Sequence, residues 1–390
     1  MTAGITNGGS MGRRGICAET YLDWNATAPL RPQAVTAMSA VLASCGNPSS
    51  VHRRGRAAWQ AVERARESVA AMLGGSVEPS RIVFVSGGTE ANHLALIGAG
   101  RERVLVSAIE HHSVLDAVAD AETIPVDSDG VVALDALDRL LAKDPRSTLV
   151  SVMLANNETG VIQPVAEVAA LARKYGALFH CDAVQAAGKI SLDAAAIGAD
   201  LITLSAHKLG GPPGIGALVV AEGLNLEPLF RGGGQERGRR AGTENLPGIA
   251  GFAAAAAAES IAIYDRVRGL RDSLEAGIAS AAPNAVIMGA GALRLPNTSA
   301  IAMPGVAAEI QVIALDLEGV MVSAGAACSA GKVGPSHVLA AMGVEPDLAA
   351  STIRVSLGWS SSEADIAHFL KAWTALYHRR GGDAGGRRAA

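Results

Sequence analysis

From Pro32 to Gly251 short apolar runs alternate with longer amphipathic stretches, each bounded by turn residues. Short buried runs read as strands and the 3.6-residue period reads as helix, so the pattern predicts the βα alternation of a mostly parallel, doubly wound sheet. Strands are predicted at Arg81–Val85, Arg103–Ser107, Thr148–Met153, Leu178–Cys181, Leu201–Leu204 and Gly216–Val220, with helices at Ala57–Leu73, Asn92–Gly98 and Pro164–Tyr175. After the alanine run Phe252–Glu259 a long stretch to about Ala281 is rich in Ala, Leu and Arg, which favour helix. Beyond it, Thr298–Met303, Val320–Ser323 and Ser351–Ser356 predict strands of a smaller α+β unit, closed by a helix from Ser362 to Tyr377.

Composition narrows the class without changing this picture. A chain of 390 residues with 49% hydrophobic residues can bury a large core and fits two to three domains. The formal charge of −4 gives no bulk attraction to nucleic acid or an anionic membrane, and the arginine spots at Arg53, Arg54 and Arg56 and at Arg237, Arg239 and Arg240 are too short to reverse that. No window approaches the roughly 18 apolar residues of a membrane span. Cys17, Cys45, Cys181 and Cys328 are far apart and lack zinc-ligand spacing, which fits a reducing cytoplasm. Residues 1–18 contain no apolar signal region and are expected to be a flexible tail, as is the Gly/Arg/Ala end from 379 to 390.

Four strand ends carry candidate chemistry. The run Asp200–Gly216 is an apolar strand that ends in Ser205-Ala-His207-Lys208 at a glycine-rich turn, where open α/β sheets bind ligands. A lysine held there away from water can act as a Schiff-base nucleophile; a solvated loop lysine is the alternative. Ser86-Gly-Gly88-Thr89 follows a strand and opens a helix, so it is either a phosphate cradle or an ordinary glycine-shaped cap. Asp182 stands at another strand end, as partner of a protonated ring nitrogen or as a helix cap, and Asn157 and Gln185 place amides at the same sheet edge. A phosphate donor set at Thr89, Ser205 and His207, an acid at Asp182 and an amine at Lys208 together describe pyridoxal phosphate, whose ring serves as an electron sink when its nitrogen stays protonated.

Over nearly its whole length the chain resembles the fold-type I pyridoxal-phosphate enzymes of the class V aminotransferase family, and within it the cysteine desulfurases with the longer catalytic loop. The matching segments are Tyr21–Pro29, Gly46–Ser50, Ser86–Glu90, Glu110-His111, Asn156–Gly160, His180–Gln185, Ser205–Lys208, Gly232–Thr243 and Ile353–Gly358. The resemblance implies that Lys208 binds the cofactor covalently, Asp182 pairs with its ring nitrogen and His111 stacks on the ring. Asn157 and Gln185 would contact the ring side, and Gly88, Thr89, Ser205 and His207 would hold the phosphate. Thr243 would reach the phosphate in the other subunit of a homodimer. Arg354 would take the substrate carboxylate, with Asn157 beside it; a guanidinium fork suits that role, although a surface arginine in a strand is the alternative.

Cys328 lies in Ser323–Pro335, a stretch of small residues between a strand and a helix, where a mobile loop is expected. It is either a buried inert thiol or, by the resemblance, the nucleophile that takes sulfur from L-cysteine as L-alanine leaves. The persulfide would pass to an acceptor protein such as an iron–sulfur scaffold, with His111 assisting proton transfer. The family layout implies a large cofactor-binding domain at 31–261 and a small domain formed by 19–30 with 262–378. A selenocysteine lyase, another class V aminotransferase-type enzyme or a non-catalytic partner-binding homologue remain as alternatives on the same scaffold. Trp24, Gly334 before Pro335 and the short tail after Gly358 depart from the usual form of the family.

Overall fold

Six of the predicted apolar runs become strands of one seven-stranded sheet. The computed structural model describes residues 19–144, 146–258, 261–325 and 335–386, with side chains as far as Arg379. Its first strand, β1 (Thr20–Tyr21), belongs to a second, smaller unit. The large sheet holds β2 (Ile82–Val85), β3 (Arg103–Ser107), β4 (Glu122–Ile124), β5 (Thr148–Ser151), β6 (Leu178–Asp182), β7 (Leu201–Ser205) and β8 (Gly216–Val220). Their order is β2-β8-β7-β6-β5-β3-β4; β8 runs antiparallel to both neighbours and every other pair is parallel.

Every residue of β2, β3, β5, β7 and β8 is buried, as strands covered by helices on both faces must be. This is why continuous apolar runs marked them. β4 escaped that signal because it is a three-residue edge strand whose Thr123 is exposed. The helix Arg53–Ala71 turns Ala58, Val62, Ala65 and Val69 to the core at helical spacing, and His52 caps it by accepting from Gly55 N–H at 3.2 Å. The alanine run is a helix of its own, Leu246–Ala257, bent by 73° from the following helix Ile261–Ala281. Among the described residues no single helix is long and apolar enough to cross a membrane.

The smaller unit has its own core. β9 (Val286–Ile287), β10 (Thr298–Ala302), β12 (Ser323–Ala324) and β13 (Thr352–Ser356) form an antiparallel sheet in the order β12-β13-β10-β9, while β11 (Val320–Met321) pairs in parallel with β1. The single strand predicted at Val320–Ser323 therefore divides at Val322, one half serving each sheet. Phe369 and Trp373, both fully buried, pack with Leu270, Leu274 and Ile278 of the preceding helix. Each such side chain contributes about 1.5–3 kcal/mol by leaving water. The closing helix Glu363–Gly386 runs past Tyr377, through part of the predicted tail. Its packed first turns bear the cost of nucleation, and propagation then adds a hydrogen bond for each residue fixed.

Candidate active site

The carboxyl ends of β6 and β7 and the turn after β2 converge on one cavity of about 290 Å³. β7 ends at Ser205 and passes into a tight turn, Ala206–Lys208, that carries His207 and Lys208 to its rim. The helix Gly88–Gly98 starts directly after β2 with Gly87 as its cap, so no side chain claims its first N–H groups and its positive end faces the cavity. Glycine is required nearby at Gly216, where a Cβ would come within 2.7 Å of the Gly87 backbone and the Leu204 carbonyl. The helix start is thus pressed against the strand that pairs with β7. Gly88, Thr89, His111, Asn157, Asp182, Gln185, Ser205, His207, Lys208 and Arg354, ten residues expected from the sequence, all line this cavity.

Hydrogen bonds define what each group can do. The Lys208 Nζ donates to the carbonyls of Asn25 at 2.6 Å and Ala26 at 2.8 Å. Burial, followed by the charge of Lys208, pushes His207 down to about 4, so its ring is neutral. Asp182 accepts from Val184 N–H at 2.9 Å and from the Asn92 amide at 2.8 Å, which fixes its carboxylate plane. The same Asn92 amide donates to the Ser113 hydroxyl at 2.8 Å, and that hydroxyl lies 2.8 Å from His111 Nδ1. Because the Ser113 backbone N–H also donates to Nδ1 at 3.1 Å, Nδ1 is an acceptor and the neutral ring carries its proton on Nε2. Burial lowers the His111 pKa, with Asp182 opposing and Lys208 reinforcing the shift.

Two titratable groups behind this wall are held toward their uncharged forms by burial. Burial, reinforced by Asp182, holds the Glu110 carboxyl well above its usual range despite the Met153 N–H at 2.6 Å. His180 lies inside the sheet between the hydroxyls of Ser151 and Thr203, at 2.8 and 2.9 Å, and burial pushes it to about 3. Cys181 is fully buried on β6, with its thiol pushed up by burial, so it is the inert cysteine of the interior.

The opposite wall comes from the strap Leu22–Arg31 and from β13. Ala28 N–H donates to the His207 carbonyl at 2.8 Å, and Arg31 N–H and Nε donate to the carbonyls of Gly210 and Leu209 at 2.9 and 3.1 Å. Trp24, the departure noted in this segment, meets Trp359 edge-on at a centroid distance of 4.6 Å, and Gly358 is needed because a Cβ there would overlap the Trp24 ring. Asn25 is the knot: its side chain donates to the Asn157 carbonyl at 3.2 Å and Thr298 Oγ1 at 2.9 Å and accepts from Lys189 and Asn297 at 2.7 and 3.1 Å. Arg354, 2% exposed on β13, donates to the Asn157 carbonyl at 3.1 Å and pairs with Asp23 at 2.7 Å, while its Nε has no partner among the described residues. A carboxylate therefore already occupies one edge of the guanidinium fork.

Asn25, Asp23, Asn92, Ser113 and Lys189 were given no role from the sequence, although Asn25 and Asp23 lie in the matching segment Tyr21–Pro29. Thr243 does not line this cavity; it lines a separate depression with Ser86, Gly214, Glu236 and Arg240. Cys328 lies outside the described residues. The residues flanking its segment both come to Glu158, which accepts from Ser336 Oγ at 2.6 Å and sits where a Cβ on Gly325 would be 2.8 Å away. Glu158 directly follows Asn157 of the cavity.

A ligand with a phosphate, an aromatic ring nitrogen and an aldehyde fits this donor set. The helix start with Thr89 and Ser205 suits the phosphate, Asp182 suits the ring nitrogen and Lys208 suits the aldehyde. The aminotransferase class-V family model matches residues 20–369. A cysteine desulfurase of Cereibacter sphaeroides is 44% identical over 90% of this chain and 94% of its own length. An IscS-like cysteine desulfurase of Mycobacterium tuberculosis is 39% identical over 89% of this chain and 93% of its own. The solved structure of a NifS-like protein from Rickettsia africae superposes with a TM-score of 0.86 at 36% identity, covering 92% of this chain and 99% of that one. With the cavity's donor set and agreement along almost the whole length, the chain belongs to the class-V aminotransferase family, on its pyridoxal-phosphate-dependent cysteine desulfurase branch.

Proposed function

We propose that this protein takes sulfur from L-cysteine, releases L-alanine and hands the sulfur through Cys328 to an acceptor protein, with iron–sulfur cluster assembly as the destination. The observation that carries this reading is the meeting of an amine, an aspartate, a helix start and a buried arginine in one cavity. Pyridoxal phosphate bound there supplies an electron sink beside the substrate's α-carbon. With that group bound, Lys208 would move the α-proton, Asp182 would hold the ring nitrogen and Arg354 would orient the substrate carboxylate. The His111 ring, with Nδ1 engaged by Ser113, would stack on the cofactor ring and leave Nε2–H to assist proton transfer.

Cys328 as thiolate attacks the substrate sulfur; a sulfur–sulfur bond forms, the carbon–sulfur bond breaks and its electron pair returns to carbon, which is then protonated. The enzyme keeps the sulfur as a persulfide. Support for Cys328 comes from its flanks, since both ends of its segment reach Glu158 next to the cavity. The reading includes a cytoplasmic homodimer. Val35, Leu42, Val51, Trp59 and Phe230 are large apolar side chains left exposed in the single chain, and Thr243 stands outside its own cavity, available to a partner's.

Alanine formation from L-cysteine tests the reading, alongside the absorbance of bound pyridoxal phosphate. Lys208→Ala is expected to lose both. Cys328→Ala is expected to keep the absorbance and lose alanine formation; undiminished turnover in that variant would replace sulfur transfer with a selenocysteine lyase or an eliminating enzyme.

A further inference from the structure

Lys189 is a second amine beside the cavity, and nothing above gives it a task. It is 2% exposed and stands four residues after Gln185 in the turn that follows β6. Its Nζ donates to Asn25 Oδ1 at 2.7 Å and to Gln185 Oε1 at 2.8 Å. Both acceptors are neutral amides, and among the described residues no carboxylate meets it. An ammonium has three N–H donors and a neutral amine two, so two acceptors match the neutral form. Burial pushes the Lys189 ammonium well below the usual lysine range, and the charges of Lys208 and Arg354 act in the same direction.

Lys189 claims the Gln185 oxygen and shares the Asn25 oxygen with Asn297, so the orientation of each amide is set. Gln185 then turns its nitrogen to the Asn25 carbonyl at 3.0 Å, and Asn25 turns its own to Asn157 and Thr298. The Asn25 carbonyl is also the acceptor on which Lys208 Nζ rests at 2.6 Å. We propose that Lys189 is a positioning residue of the cofactor cavity: its two hydrogen bonds lock the amides of Gln185 and Asn25 and, through them, the seat of Lys208. Removing it would leave the buried Gln185 oxygen without its donor and the Asn25 oxygen with Asn297 alone, and the Gln185 amide would recover a partner by rotating.

The inference rests on the pyridoxal-phosphate reading, and the test separates the two. The purified holoenzyme is compared with Lys189→Met, which keeps the apolar stem and removes both donors, and with Lys189→Gln, which returns one amide donor. For Lys189→Met, pyridoxal phosphate is expected to bind about 10-fold more weakly with an altered absorbance spectrum, and kcat to fall about 10-fold while KM for L-cysteine stays within about twofold. Lys189→Gln, the better-folding variant if the apolar one proves unstable, is expected to fall between. Variants that melt at a lower temperature but keep the wild-type spectrum, cofactor affinity and kcat would make Lys189 a packing residue and overturn the proposal. A wild-type protein that gains no absorbance with pyridoxal phosphate would instead overturn the cofactor reading, and this inference with it.

Discussion

The two walls of the cavity are built on different principles. One is made of strand ends: Thr89, Asp182, Ser205 and Lys208 are placed by β2, β6 and β7, and each is aimed by the element that carries it. The other is made of Asp23, Asn25 and Arg354, aimed by hydrogen bonds between residues 132 to 331 positions apart in the chain. The strand wall supplies the reacting groups. The strap wall supplies the acceptors that hold Lys208 still, and it joins the two cores, since Asn25 reaches Lys189 on one side and Asn297, Thr298 and Ser356 on the other.

Breaking the strap wall is expected to have the largest effect. Asn25→Ala leaves Lys189, Asn297 and Thr298 without a shared partner and is expected to lower stability by about 3–5 kcal/mol in urea unfolding. Ser205→Ala on the strand wall is expected to change it by less than about 1 kcal/mol. Equal losses would erase the distinction. Next in size, Arg354→Lys removes the planar fork that bridges Asp23 and Asn157 and is expected to raise KM for L-cysteine about 10- to 100-fold, measured in steady-state kinetics.

The smallest effect sharpens the strand side. His180 is held neutral by burial with a folded value of about 3, against about 6.5 in the unfolded chain. Between those values the unfolded chain carries a proton that the folded chain lacks, so stability falls as pH falls through that window. The deficit at pH 5 is about 2 kcal/mol relative to pH 8. His180→Gln is expected to remove that part of the slope in unfolding measured at both pH values; an unchanged slope would show that His180 is not its source.

The same division explains what could be read from the chain. Strands such as β7 and β8 announce themselves because both faces are buried, so every position before the terminal Ser205 of β7 is apolar or β-branched, and the residues at and beyond their ends inherit a predictable place at the sheet edge. β1 and β9, two residues each, are too short to carry a period, and Val320–Ser323 looked continuous because only its partners divide it. Lys189 left no periodic trace, because it meets Gln185 four positions earlier within a turn and not along a helix face. Asn92 and Ser113 left none, because a donor and its acceptor 21 residues apart have no shared pattern. Family resemblance supplied the roles of Thr243 and Cys328, which no periodicity carries.

The pairing of β1 with β11 sets the order in which the molecule can be completed. Thr20 aligns with Val320 and Tyr21 with Met321, so β1, made before the large sheet, has no strand to pair with until β11 has followed that sheet out of the ribosome. The seven strands of the large sheet, all between Ile82 and Val220, can close long before that. A chain shortened before β11 would thus own the lysine, the aspartate and the carbonyls of Asn25 and Ala26, yet lack the β1–β11 pairing that anchors the segment carrying those carbonyls. Reactive groups and the anchoring of their restraint arrive at different times, and competence waits for β11 and β13.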